Sequence, residues 1–277
     1  MTRKIVLFAG YSLLAWFIIA AASAVWAVLI ISNLKATPSV PWCVPALLLF
    51  LYLLWEYLGG KGWPQSTALR RRHLRRANPV TVEAFAWTAV AGGFAIAALS
   101  GLWMVAFQLF RMPPNRLLPA NFVSSPWFAG AIIAGASILA PITEETAVRG
   151  YLQAVLEREF TPAVAIALSS LVFAIAHVSQ GAAWPKLLVY FFVGVTFGTM
   201  ACLNDSILPV IPVHVAGDVT FFLLVWPHDA MRSIVWETGA DAWFWVHIAQ
   251  AVVFTFLTVV AFRRLSRVQP RSPGQFD

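Results

Sequence analysis

Eight apolar runs, at roughly 5–32, 42–58, 84–110, 127–156, 162–179, 184–203, 206–226 and 242–262, constrain this chain more than any other feature. A hydrocarbon core about 30 Å thick takes about 20 helical residues, with a working range of about 17–25. Every run reaches that length, and the longer ones can tilt or extend beyond the lipid. Internal Gly and Pro do not veto such helices, because neighbouring segments re-satisfy the freed backbone groups. Composition agrees. The chain is 60% hydrophobic and 11% charged, where soluble domains carry about 25% charged residues. The expected fold class is all-α: a polytopic membrane helix bundle of about eight transmembrane helices, with residues 1–277 as a single integral membrane domain.

In a membrane protein the formal charge of +7 reads as topology, since Lys and Arg collect in cytoplasmic loops. With the N-terminus inside, the inner segments hold thirteen of the nineteen Lys/Arg: Arg3, Lys4, Lys61, the five arginines between Arg70 and Arg76, Arg158, and four from Arg263 to Arg271. The outer segments hold five, Lys35, Arg111, Arg116, Lys186 and Arg232, and Arg149 lies within a run. Both termini are therefore expected in the cytoplasm of a multi-pass protein of the bacterial inner membrane. Arg3 and Lys4 ahead of an apolar stretch and Ala22-Ser23-Ala24 imitate a signal peptide, but a signal's apolar region covers only about 7–15 residues. This run continues to Ile31 and is expected to stay as a helix. The arginine run lacks interleaved aromatics, so it reads as a topology signal against anionic lipid and not as a nucleic-acid site. Gly194-Val195-Thr196-Phe197-Gly198 reads as a close helix crossing. Cys43 and Cys202 offer neither a disulfide framework nor a metal spacing.

Against this background six polar residues are out of place: Glu144, Glu145, Arg149, His177, His214 and Asp218. An Asp, Lys or Arg at a helix centre costs about 2.5–3.5 kcal/mol on insertion scales. These side chains must therefore face one another or a wet cavity, which makes a functional site the default inference. Glu145 and Arg149 stand four apart with the acid first, the favourable order for a helical pair. Glu144 points about 100° away around the helix and has no local cation, which leaves it free to act as a general base. His177 follows Phe173 by one turn, and His214 and Asp218 form another i,i+4 set. Three helices thus offer carboxylates and imidazoles able to activate water and steady an oxyanion, with or without a metal.

Glu144-Glu145-x-x-x-Arg149, Phe173-x-x-x-His177 and His214-x-x-x-Asp218, in that order on apolar helices, resemble the three motifs of the CAAX-protease and bacteriocin-processing (CPBP/Abi) family of intramembrane proteases. The resemblance covers roughly 125–225, the expected catalytic core, and includes Ser206-Ile207-Leu208-Pro209-Val210-Ile211-Pro212. It implies an endopeptidase that hydrolyses a peptide bond of a membrane-associated protein or peptide, whether CAAX-type, a maturing precursor or a sorting tail. It also implies that Glu144 activates water with His177 as partner, that Glu145 and Arg149 are the orienting pair, and that His214 with the residue at 218 stabilises the oxyanion. The commoner residue at that last position is Asn. Asp218 can donate a hydrogen bond only when protonated; otherwise it orients His214 or binds a metal.

Cofactor chemistry stays open at this point. Glu144, His177 and His214 would form a His₂Glu set acceptable to zinc, while a glutamate-type reaction needs no cofactor. HExxH is absent. The alternative function is a proton-coupled transporter or channel using the buried Glu/His/Arg relay, but the matching broken helices of transporter halves are missing. The expected partners are the lipid bilayer and a membrane-associated protein or peptide substrate, with no nucleic acid. Hydrolysis near mid-membrane needs water, so a polar intramembrane cavity is expected, walled by the fourth to seventh runs and open laterally. The resemblance favours a cytoplasmic mouth, and the depth of His177 leaves an outward one open.

Overall fold

The computed structural model describes residues 2–37, 39–110, 112, 126–225 and 233–268. Among them, six helices are long and apolar enough to cross a membrane, and two shorter apolar ones accompany them. In chain order the elements are α1 (Thr2–Ala36), α2 (Cys43–Leu58), the short basic α3 (Ala68–Arg75) and α4 (Val82–Leu109). Then come α5 (Pro126–Glu144), a π-helical segment (Glu145–Gln153) and α6 (Ala154–Glu159), which together form one continuous rod. After it follow α7 (Pro162–Ala176), α8 (Trp184–Asn204), α9 (Val210–Thr220), α10 (Val235–Thr238) and α11 (Ala242–Val268).

Local chemistry sets the boundaries. The Thr81 hydroxyl accepts from the Ala84 amide at 3.1 Å and caps α4, satisfying one of the orphan donors of its first turn. Pro162 opens α7, where its missing N–H costs nothing. α8 stops at Asp205, which takes a left-handed conformation (φ 47°) that Asp tolerates better than most residues.

The seventh run departs from expectation. Its helix begins at Val210 and not at 206, because Ser206 to Pro209 are tied into a turn. The Ser206 hydroxyl donates to Asn78 O at 2.6 Å, and the Ile207 amide donates to Arg76 O at 2.9 Å. Counting its π-helical end, this helix spans Val210–Val225, and with Cys43–Leu58 it falls short of the span expected for every run. The fourth run also differs, since residues 145–153 adopt π rather than α register.

The basic segment is committed largely to the protein itself. Arg70 donates to the Tyr11 hydroxyl, Arg71 to Tyr57 O at 3.0 Å, and Arg75 to Trp55 O at 3.2 Å. Arg76 is buried against Glu157 (2.7 Å) and Asp205 (3.0 Å). Burial by itself would lower the Arg76 pKa, but these carboxylates outweigh it and hold the guanidinium above its ordinary value. Arg72 remains exposed at this end.

Two packed groups of helices flank the centre. Trp26 on α1, Leu47 on α2 and Phe128, Ile132 and Leu139 on α5 share one apolar core. Ala91 and Ala95 on α4, Met200 on α8, Val213 on α9 and Ala261 on α11 share another. The expected close crossing is present: a Cβ on Gly194 would lie 2.8 Å from Ser170 Cβ and 2.9 Å from its Cα, so α7 and α8 meet nearly backbone to backbone. Gly194→Leu is expected to force these helices apart and lower stability by about 1–3 kcal/mol, the usual cost of overpacking. Thermal unfolding in detergent measures it; an unchanged midpoint would contradict the crossing.

Candidate active site

Glu144 ends α5 and Glu145 opens the π-helical segment, whose nine residues are all buried. A π turn inside an α-helix frequently marks a functional site, because it re-aims side chains that regular register would place elsewhere. Glu145 and Arg149 both have 0% exposure, with Arg149 Nε 3.5 Å from Glu145 Oε2. The remaining contacts of Arg149 come from neighbouring helices. Its Nη2 donates to Gly194 O at 3.3 Å, and its guanidinium lies 4.4 Å from the Phe173 ring and 5.9 Å from the Phe197 ring. Aromatic faces attract a desolvated cation, so α7 and α8 share in holding this charge.

His177 follows the last residue of α7, and its Nδ1–H donates to Phe173 O at 2.8 Å. A carbonyl oxygen only accepts, so this bond fixes the proton on Nδ1 and leaves Nε2 directed at Glu144 Oε1, 3.9 Å away. Tyr190 stacks on the imidazole with ring centres 4.2 Å apart. His214, on α9, donates from Nδ1 to Glu145 Oε1 at 2.9 Å. Its Nε2 then lies 3.8 Å from Glu144 Oε2 and 3.6 Å from Asp218 Oδ1, while Phe197 stacks on its face at 4.3 Å.

All six polar residues singled out in the sequence are thus brought together. The expected pairing of Glu145 with Arg149 is present, but Glu145 also grips His214, a link that spacing within one helix could not reveal. The aromatic plates Tyr190 and Phe197 went unrecognised too. They lie with Gly194 at 190, 194 and 197, one helical face that the glycine pair already marked.

The cluster occupies one end of a cavity of about 270 Å³. Trp26 of α1 and Ile96 and Trp103 of α4 line it as well as α5 and α7–α9. The cavity expected behind four runs therefore has six helical walls, and it is polar chiefly at the cluster and apolar elsewhere.

As a zinc set, Glu144, His177 and His214 fall short. Among the described residues no group of three His, Cys, Asp or Glu side chains is arranged to hold a metal ion. No step of the chemistry is therefore assigned to a metal.

Comparison with protein families matches residues 125–220 to the family described as type II CAAX prenyl endopeptidase Rce1-like. The matched stretch contains Glu144, Glu145, Arg149, His177, His214 and Asp218. No curated protein and no solved structure gave a match.

Phe173 is 1% exposed and touches Arg149, His177 and, edge-on at 6.3 Å, His214. Phe173→Leu removes the face beneath a buried guanidinium, an interaction worth about 2 kcal/mol or more when desolvated. Its melting temperature is expected to fall further than that of Phe173→Tyr, which keeps the ring. Equal melting temperatures for the two variants would contradict the cation–ring contact.

Proposed function

We propose that the chain is an intramembrane endopeptidase of the CAAX type in which Glu144 activates water. The observation that carries this reading is that each oxygen of Glu144 faces an imidazole Nε2, at 3.9 Å for His177 and 3.8 Å for His214. Both separations exceed a direct hydrogen bond and suit a reactant or water placed between the groups.

In the proposed reaction a water donates one hydrogen bond to Glu144 and one to the lone pair of His177 Nε2. As its oxygen attacks the peptide carbonyl carbon, Glu144 takes the proton. His214, held through Nδ1 by Glu145 and carrying a second proton on Nε2, donates to the developing oxyanion, the role in which a preorganised donor contributes most. The tetrahedral intermediate collapses with cleavage of the C–N bond. The proton held by Glu144 passes to the leaving amine, so water is consumed and a carboxylic acid and an amine are released. Asp218 steadies the charged form of His214 from 3.6 Å.

The apolar walls suit a substrate with an apolar side chain or anchor. α1 lies in one packed group and α4 in the other, and both line the cavity. The space between them is the proposed lateral gap for a membrane-associated protein or peptide.

Membranes bearing the wild-type chain or Glu144→Gln, compared by quantitative proteomics in the native host, should differ in the cleaved termini of a small set of membrane-associated polypeptides. For a purified substrate identified in this way, Glu144→Gln is expected to lower turnover by at least about 10²-fold, the scale of general-base catalysis, with an unchanged melting temperature. Undiminished cleavage by that variant would sink the proposal.

A further inference from the structure

His177 stands where its own helix supports it least. α7 ends at Ala176, and the chain tightens into a 3₁₀ turn over His177–Gln180. The His177 amide donates to Ala174 O, three residues back, which leaves Phe173 O to the imidazole. Nδ1–H reaches that oxygen at 2.8 Å. One hydrogen bond fixes one atom of the ring. The ring can still turn about the line from Nδ1 to the oxygen, and such a turn swings Nε2 away from Glu144. Helix ends fray more readily than helix centres, so a second contact is needed to hold the plane.

That contact comes from α8. The Tyr190 ring lies against the imidazole with centres 4.2 Å apart and planes inclined by only 26°. Phe173 also meets the imidazole, at 4.6 Å, but tilted by 47°. Tyr190 is itself braced by Trp103 of α4, edge-on at 5.5 Å and 70°. Trp103 in turn stands edge-on to Phe221, in the π-helical end of α9, at 5.0 Å and 81°. Stacked and edge-on pairs at such separations are the favoured arrangements of aromatic rings. Trp103 is 4% exposed, so this brace has little room to shift. The other imidazole is placed differently. Phe197 stacks on His214 at 4.3 Å, but His214 lies within α9 and its Nδ1 donates to the Glu145 carboxylate. The plane of His177 depends more heavily on its aromatic neighbour.

We infer that Tyr190 is a positioning residue: its ring fixes the plane of His177, keeps the proton on Nδ1 and so directs Nε2 at Glu144 Oε1. The consequence for cleavage rests on the endopeptidase reading, whereas the hold on the imidazole does not. The face of the ring performs this task, so phenylalanine at 190 should preserve it and an aliphatic side chain should lose it.

The test is nitrogen NMR of the full chain in detergent with isotope-labelled histidine, the His177 signals being those lost in His177→Gln. The wild-type chain and Tyr190→Phe should each show a single His177 tautomer with its proton on Nδ1. Tyr190→Leu should let the ring leave Phe173 O and show the proton distributed over both nitrogens. Tyr190→Met, flexible enough to fill the space without forming a plate, should do the same and serves in place of a leucine variant that does not fold. A single Nδ1–H tautomer in a folded aliphatic variant, or its loss in Tyr190→Phe, would overturn the inference. A second arm uses the polypeptide whose cleaved terminus disappears in Glu144→Gln membranes. Tyr190→Leu should lower its cleavage by about 10- to 10²-fold, the scale of a small misplacement of a catalytic group, through kcat and not KM, while Tyr190→Phe cleaves at the wild-type rate. An unchanged kcat in the aliphatic variants would remove the positioning role. The NMR signals are read without substrate, so a chain that cleaves no polypeptide would defeat the endopeptidase reading while the tautomer still decides the hold on His177.

Discussion

A carboxylate and a guanidinium without solvent exposure, Glu145 and Arg149, form the contact on which the rest of the site is built. Removing both from water is costly, and attraction repays it only when further bonds satisfy the remaining groups. Some of those bonds come from elsewhere in the fold, while Glu145 Oε2 and Arg149 Nε face each other as an ion pair without a hydrogen bond among the described residues. The His214 ring nitrogen donates to one Glu145 oxygen, Gly194 O accepts from Arg149, and the Phe173 ring faces the cation. The pair therefore ties the rod containing the π segment to α7, α8 and α9 at once.

This arrangement separates two adjacent glutamates into different tasks. Glu145 is held at one oxygen by His214 and turns the other toward Arg149, whereas Glu144 faces the cavity and meets two imidazoles without a direct hydrogen bond to either. The π register at Glu145–Gln153 contributes to that division. It is held from the basic end, where a Cβ on Gly150 would come within 2.6 Å of Leu74 O, so α3 and the π segment lie in backbone contact. The basic end and the site are linked there, since Arg76 pairs with Glu157 one turn beyond the π segment.

The fold class was legible because lipid admits few backbone solutions, and long apolar runs select the helical one. The six polar residues stood out for the same reason, since charge within such runs needs a partner. Illegible were the features that depend on tertiary neighbours. Nothing in the spacing of Glu145 points to His214, 69 positions away. The start of α9 at Val210 depends on bonds from Ser206 and Ile207 to the segment at 76–78, and the wall supplied by α1 and α4 depends on where two apolar helices pack. Apolar periodicity identifies such helices but not their neighbours.

The central claim is that Glu145 and Arg149 act as one unit, and a double-mutant cycle on folding stability tests it most directly. Glu145→Gln and Arg149→Met each leave a buried charge uncompensated and should each cost about 3–5 kcal/mol. The double variant should cost less than their sum by at least about 1 kcal/mol, the coupling expected of groups in contact. Additivity to within about 0.5 kcal/mol would mean that the two residues are independent, and the account of the site built on their pairing would be wrong.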